Sequence, residues 1–295
     1  MLALLNSIFA FAVWDCRDRT VLLARDTFGV KPLYYAQCMD FIAFGSKIKG
    51  LLALCPNFRE IDFLALHRYL IFLWFPGVGT PLKHVRKVLP GETLILRKGR
   101  ATKKWSWYLP NAFRKIRPNL TEVSTPQEVT RHLRNAVQRQ MVSDVPSGAF
   151  LSDGLDSRAF VYLAREVNPL LHCFTIEAKV GFDEGDAAHL PYAKAVSSYL
   201  EIPLTIASIN AIRLADDLER MILQLDEPLA EPAALNVFYI CKSAREPGVK
   251  VLLSGAGGRR FIFRLSATPG RGFGPDSSFA STTCATGPRK HYLTP

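Results

Sequence analysis

Ser147-Gly148-Ala149-Phe150-Leu151-Ser152-Asp153-Gly154-Leu155-Asp156-Ser157-Arg158 is the stretch whose reading decides the fold of the second half. A short apolar run stops abruptly at Leu151, and helical spacing begins within a few residues, at Leu155. Between them lies a turn of Ser, Asp and Gly. Ser152 and Ser157 bring hydroxyls, and Gly154 lets the backbone approach a ligand closely. The unpaired N–H groups of a helix start favour an anion, so the segment reads as a polyphosphate cradle, with Asp156 placed to hold Mg²⁺. Taken alone, the turn reads first as an ordinary Ser/Asp N-cap after a buried strand, because those residues dominate such positions anyway.

Outward from this turn the period is that of alternating strands and helices. Thr125-Pro126-Gln127-Glu128 has the form of a capping box with proline at the first helical position. Val129, Leu133, Val137 and Met141 follow at i, i+4 spacing. Short apolar strands at 148–151, 171–176, 204–209 and 249–253 then alternate with helical segments starting near Leu155, Ala188, Ala211 and Ala233. Such alternation calls for an α/β doubly wound parallel sheet whose ligands sit at the carboxyl ends of its strands. The first half is different. FAVWDCRDRTVLLARD, YYAQCMDFIAFGS and GETLILRKGRATKKWSWY read as hairpins, with helical spacing over 47–54 and 62–72, so an α+β unit of antiparallel sheets comes first.

The 295 residues carry 37 basic and 26 acidic side chains, a net charge of +11. About five of those charges fall after Gly258, and Lys98, Arg100, Lys103 and Lys104 read as a solvated hairpin turn, so a nucleic-acid partner is not favoured. A composition 48% hydrophobic and 21% charged excludes wholesale disorder and fibres. The apolar opening, MLALLNSIFAFAVW, runs into Asp15 too soon to span a bilayer and lacks a basic leader, so it is expected to be core, with no membrane partner. Six scattered cysteines and six histidines at no metal-binding spacing indicate neither a disulfide framework nor a zinc site, which fits a cytoplasmic protein. Trp14, Trp74, Trp105 and Trp107 are expected to pack rather than hold ligands.

The Ser152 turn resembles the S-G-G-x-D-S pyrophosphate loop of the PP-loop ATP pyrophosphatases, an adenine nucleotide alpha-hydrolase-like fold. Its surroundings resemble the glutamine-hydrolysing asparagine synthetases. Arg25-Asp26-Thr27-Phe28-Gly29-Val30-Lys31-Pro32-Leu33-Tyr34-Tyr35 and Phe44-Gly45-Ser46-Lys47-Ile48-Lys49 are similar to signatures of that family's glutaminase domain. Phe182-Asp183-Glu184 with Pro191-Tyr192-Ala193, Leu225-Asp226-Glu227-Pro228 and Leu252-Leu253-Ser254-Gly255-Ala256-Gly257 are similar to segments of its synthetase domain. The resemblance implies a truncated class II glutamine amidotransferase domain over 1–110, a linker over 111–124, an incomplete PP-loop synthetase domain over 125–258 and an atypical tail over 259–295.

It also implies the chemistry. ATP and Mg²⁺ would serve to adenylate a carboxylate, aspartate in the type enzymes. Ammonia would then displace AMP, and pyrophosphate would be the other product. Carried over by position, Ser152, Gly154, Asp156 and Ser157 would hold pyrophosphate and Mg²⁺. Leu151 and Ile176, at strand ends, would contact the nucleoside, and Ser254 and Gly255 would lie by ribose and substrate. Asp226 is carried over as a catalytic carboxylate, with capping or ion pairing at its turn as the equal alternative. A homodimer fits the family. The other readings are a β-lactam synthetase-like ligase, a PP-loop RNA-modifying or RNA-binding protein, and an inactive fragment.

Three departures predict impaired catalysis. Residue 2 is leucine where the family has its nucleophilic cysteine, and Cys16 and Cys38 are expected to be bystanders, so glutamine hydrolysis is expected to be absent. Arg25, Phe28, Lys31 and Tyr34 would then only pack. Asp153 replaces a glycine and adds a negative charge beside the phosphates, which Arg158 would partly offset. Gly258-Arg259-Arg260 stands where the family has acids. Codons for Gly258 to Pro269 can, one base later, encode A-D-D-S-F-S-G-Y-R-R-H, close to the family pattern, so a frameshift near Gly258 is expected. Sequencing the gene tests it. The Gly/Pro/Ser/Thr-rich tail beyond is expected to be disordered.

Overall fold

A computed structural model describes residues 2–38, 40–108, 124–178, 190–209, 211–230 and 233–255. The expected linker over 111–124 apart from its last residue, the Phe182-Asp183-Glu184 segment, and the expected tail over 259–295, with its Arg259-Arg260 departure, frameshift and disorder, lie outside them.

The first half forms two antiparallel sheets. One has the order β1-β2-β6-β7, from β1 (Ala10–Asp15), β2 (Thr20–Arg25), β6 (Glu92–Arg97) and β7 (Arg100–Ser106). The other has the order β4-β3-β5, from β3 (Tyr34–Gln37), β4 (Ile42–Gly45) and β5 (Val85–Lys87). Each expected hairpin is present, and the β6–β7 turn takes left-handed φ at Lys98 and Gly99. At Gly99 an added Cβ would lie 2.2 Å from the Asp40 carbonyl oxygen, so only glycine fits there. Helix α1 (Ile48–Leu54) packs on the second sheet through Ile48 and Leu51. Helix α2 (Phe63–Phe72) is N-capped by Asp62, whose carboxylate accepts the Ala65 N–H at 3.0 Å.

The second half is one parallel sheet of order β10-β9-β8-β11, made of β8 (Ser147–Phe150), β9 (His172–Ala178), β10 (Leu204–Ile209) and β11 (Val251–Leu253). Helices α3 (Ser124–Gln140), α4 (Leu155–Val167) and α5 (Leu190–Leu200) bury Val137, Phe160, Val161 and Ala193 in one core cluster. Helix α7 (Ala233–Arg245) buries Tyr239, Ile240 and Ala244 with Phe174, Ala207 and Ile209 in a second, and α6 (Ala211–Ile222) packs against α7. Two separate clusters, each with its own helices, mean that helices cover both faces, the doubly wound arrangement. The expected fold classes, α+β followed by α/β, are therefore both present.

The opening segment is not core: Leu4, Leu5, Ile8, Val13 and Trp14 are exposed, Trp14 by 59%. Val13 and Trp14 lie on β1, an edge strand with a neighbour on one side alone, so fewer side chains are at hand to cover them, and Leu4, Leu5 and Ile8 precede that strand. Trp74 is likewise exposed at 47%, whereas Trp107 packs beside Phe9 and its indole N–H donates to the Arg25 carbonyl at 3.1 Å.

Candidate functional site

In strand order β10-β9-β8-β11 the chain moves outward from β8 through β9 to β10, then returns to the other side of β8 with β11. The direction of winding thus reverses between β8 and β11. In open parallel sheets a crevice opens at the carboxyl ends of the two strands flanking such a reversal, and ligands bind there. The loops that follow these two strands are Leu151–Gly154 and Ser254–Gly255.

The two loops touch. An added Cβ at Gly255 would lie 2.7 Å from the Asp156 carbonyl oxygen and 2.9 Å from the Ser157 nitrogen, so glycine lets the β11 loop press on the start of α4. Gly148, in β8, is equally confined, 2.7 Å from the His172 carbonyl oxygen. Leu151 continues the ladder, its N–H donating to the Phe174 carbonyl at 2.9 Å.

The turn is organised around Ser157. Its Oγ accepts the Ser152 N–H at 3.2 Å, lies 2.9 Å from the Ser152 Oγ, and reaches the carbonyls of Gly154 at 2.9 Å and Ser152 at 3.1 Å. The Ser152 Oγ in turn accepts the Gly154 N–H at 3.2 Å. Ser157 is buried while Ser152 is exposed, so Ser157 ties the turn from inside and Ser152 lies at its solvent side. The N-cap of α4 is Gly154, and it makes no side-chain cap. The plain reading, with Ser or Asp as the N-cap residue, is corrected to this extent: glycine holds the N-cap position, and the two serine hydroxyls bond each other and the backbone of the turn. Asp156 sits in the first turn of α4. Asp153 lies in the same turn, whereas the Arg158 guanidinium stands 5.9 Å from the centre of the Tyr192 ring.

The structure brings Ser152, Gly154, Asp156, Ser157 and Gly255 to the crevice, with Ser254 next to Gly255. Leu151 and Ile176 are placed differently. The Leu151 side chain is wholly buried in the core cluster beneath the turn, so it offers the crevice only backbone. Ile176 stands two residues before the end of β9, beside Ala207 and packed against the second core cluster.

Asp226 has partners in the other half of the chain. Its Oδ1 accepts the backbone N–H of Lys49 in α1 at 3.4 Å, and the Lys49 ammonium donates to the Leu223 carbonyl. Beside it, Glu227 pairs with Lys87 of β5 at 2.7 Å and hydrogen-bonds the Tyr34 hydroxyl. Burial raises the Glu227 carboxyl above its ordinary range, against the pull of Lys87. Burial and then the Glu227 charge raise the Tyr34 phenol. The Asp-Glu-Pro turn is an ion-paired seam between the two halves, which favours the alternative reading of Asp226 as a pairing group. Sequence reasoning missed Lys87 and Glu227 as a pair, because three-residue β5 carries no periodic signal.

The family signature near Arg25 proves to be a packed loop. The Arg25 guanidinium donates to the carbonyls of Lys31, Val88 and Gly29 at 2.6–2.7 Å. Buried Asp26 accepts the N–H groups of Phe28, Val30 and Lys31 at 3.0–3.1 Å. Phe28, expected to pack, is 65% exposed. Burial, and then the hydrogen bond shared with Cys55, raise the Cys38 thiol, so only a small fraction of it is thiolate at neutral pH. Among the described residues no group of three His, Cys, Asp or Glu forms a metal cage, and no helix is long and apolar enough to cross a membrane.

Comparison with known proteins agrees with this geometry. Residues 1–108 match the model of the glutamine amidotransferase domain, and residues 128–260 match that of asparagine synthase. Asparagine synthetase [glutamine-hydrolyzing] 1 of Bacillus subtilis is 35% identical over 254 residues, 86% of this chain and 39% of that protein. A putative asparagine synthetase [glutamine-hydrolyzing] of Mycobacterium tuberculosis is 33% identical over 257 residues, again 86% of this chain and 39% of that one. Among solved structures, an NH3-dependent NAD synthetase from Campylobacter jejuni aligns at TM-score 0.30 and 13% identity, over 42% of this chain and 54% of that one, too weakly to bear on the fold. The chain spans about two fifths of the length of the curated relatives it matches. The β-lactam synthetase-like and RNA-directed readings are not favoured by these matches. Both halves, in the same order, carry the match, and the chain belongs to the glutamine-hydrolysing asparagine synthetase family.

Proposed function

We propose that the crevice between β8 and β11 binds ATP and supports adenylation of a carboxylate, aspartate being the first candidate, followed by amidation with ammonia to give AMP and pyrophosphate. The observation that carries this reading is the Ser152–Ser157 turn, set at the reversal point of the sheet and pressed from the other side by Gly255. In it the exposed Ser152 hydroxyl and the start of α4 would hold the pyrophosphate group, stabilising the charge that develops on it as it leaves. Ser157 would keep the turn in shape. The donor set is two carboxylates, Asp153 and Asp156, among hydroxyls and backbone, Asp156 being the one in the first turn of α4, with no cage of three ligands among the described residues. That suits Mg²⁺ carried in by ATP, which takes one or two protein carboxylates together with substrate phosphates. Bound there, Mg²⁺ would neutralise phosphate charge.

The same reading includes a glutaminase-type unit over 1–110, a linker over 111–124, a synthetase unit over 125–258, a homodimer and a cytoplasmic location. The test is pyrophosphate release from ATP with aspartate and ammonium, in this chain, in an Asp153→Gly variant and in a chain with the alternate frame restored after Gly258. Release that needs aspartate and rises in the repaired chains supports the proposal. No release from any of them, with no ATP-induced rise in melting temperature, refutes it and leaves the inactive-fragment reading.

A further inference from the structure

Cys38 and Cys55 were unremarkable in the sequence, yet their sulfurs lie 3.5 Å apart. Cys38 follows β3, and its N–H donates to the Phe41 carbonyl at 2.9 Å across the hairpin. Cys55 is the C-cap of α1, and its N–H donates to the Leu51 carbonyl at 2.8 Å. Both belong to the core that joins the second antiparallel sheet to α1, with Cys55 buried and Cys38 partly open. Two sulfurs already in contact need close by only about 1.5 Å to reach the bonding distance of about 2.05 Å, a movement within reach of side-chain rotation.

We propose that Cys38 and Cys55 are a redox-modification site, a dithiol that a low-molecular-weight disulfide such as glutathione disulfide converts into an intramolecular disulfide. The Cys38 thiolate, the more accessible of the two, attacks one sulfur of glutathione disulfide. The glutathione S–S bond breaks, and one glutathione leaves as thiolate and takes up a proton. The Cys55 thiolate then attacks the Cys38 sulfur and expels the second glutathione. The two protein thiols lose two electrons and two protons, and one glutathione disulfide becomes two glutathione molecules. The new bond fastens the β3–β4 hairpin to the end of α1. Because α1 also carries Lys49, which bonds Asp226 and Leu223, the bond stiffens the element through which the two halves meet.

The test uses the full chain with Cys16, Cys241 and Cys284 replaced by serine, which leaves Cys38, Cys55 and buried Cys173. It is incubated natively with excess glutathione disulfide, freed of the oxidant, then alkylated in denaturant and digested with trypsin without reduction. The expected product is peptide 26–47 joined to peptide 50–59, a thiol titre falling from three to one, no retained glutathione and a higher melting temperature. Cys38→Ala and Cys55→Ala in the same background each lose the joined peptide. Glutathione retained on Cys38 beside an alkylated Cys55, both thiols unreacted in excess oxidant, or a joined peptide that appears only in denaturant would each overturn the proposal.

Discussion

Ser157→Ala removes the acceptor for the Ser152 N–H and a donor to the Gly154 carbonyl in a buried position. Leaving such groups unsatisfied costs about 1–3 kcal/mol, so the urea midpoint should fall by that equivalent. Serine to cysteine, which keeps a weak donor, should cost less. Gly255→Ala forces the β11 loop away from the Asp156 carbonyl and should weaken ATP binding, read as loss of the ATP-induced melting shift, more than it lowers stability. Asp153→Gly has the opposite sign. Removing a like charge near the phosphates is worth about 1–4 kcal/mol at intermediate effective dielectric, so ATP should bind more tightly. At this scale the strand-to-helix turn was readable because Ser, Gly and Asp cluster between an apolar run and helical spacing, whereas the Ser152–Ser157 bond inside it was not. Asp226 was not readable, since a turn carboxylate takes its role from whatever packs opposite, here Lys49.

Between elements, the seam formed by α1, β5 and the turn after α6 rests on Glu227. Its carboxyl is raised by burial, so the folded state binds a proton more readily than the unfolded chain does. The stability from this group is therefore full below the ordinary carboxylate range and is lost as pH rises through the raised folded value. Glu227→Gln should remove this component, seen as a flatter plot of urea midpoint against pH on the acid side of neutrality. Lys87→Met leaves the carboxylate without its cation. With both side chains about 15% exposed, the loss at neutral pH should be about 1–3 kcal/mol, between the figures for surface and buried pairs. Helices and hairpins were legible from period and turn residues, down to Asp62 as the cap of α2. The seam was not, because pairings between segments more than a hundred residues apart leave no trace in local spacing.

Over the whole molecule, apolar surface is left open. Phe63, Leu64, Leu70, Ile71, Phe72, Leu73 and Trp74 of α2 and the residues after it are exposed, as are Val13 and Trp14 on edge strand β1. A run of that size exceeds what a soluble monomer usually shows, so the chain should self-associate with concentration. Ile71→Lys with Phe72→Lys should lower its apparent mass in light scattering. Cys173, wholly buried and with its thiol pushed up to about 12 by burial, should resist alkylation until global unfolding and so report it. Strand order was beyond the sequence, which predicts alternation but not on which side of β8 the last strand returns. That return sets a schedule for biosynthesis. The walls of the crevice proposed to take ATP are separated by about a hundred positions of polypeptide, and β11 completes it only once it has docked beside β8. A nascent chain still held at the ribosome before Val251 has emerged can therefore build most of the sheet while remaining blind to ATP.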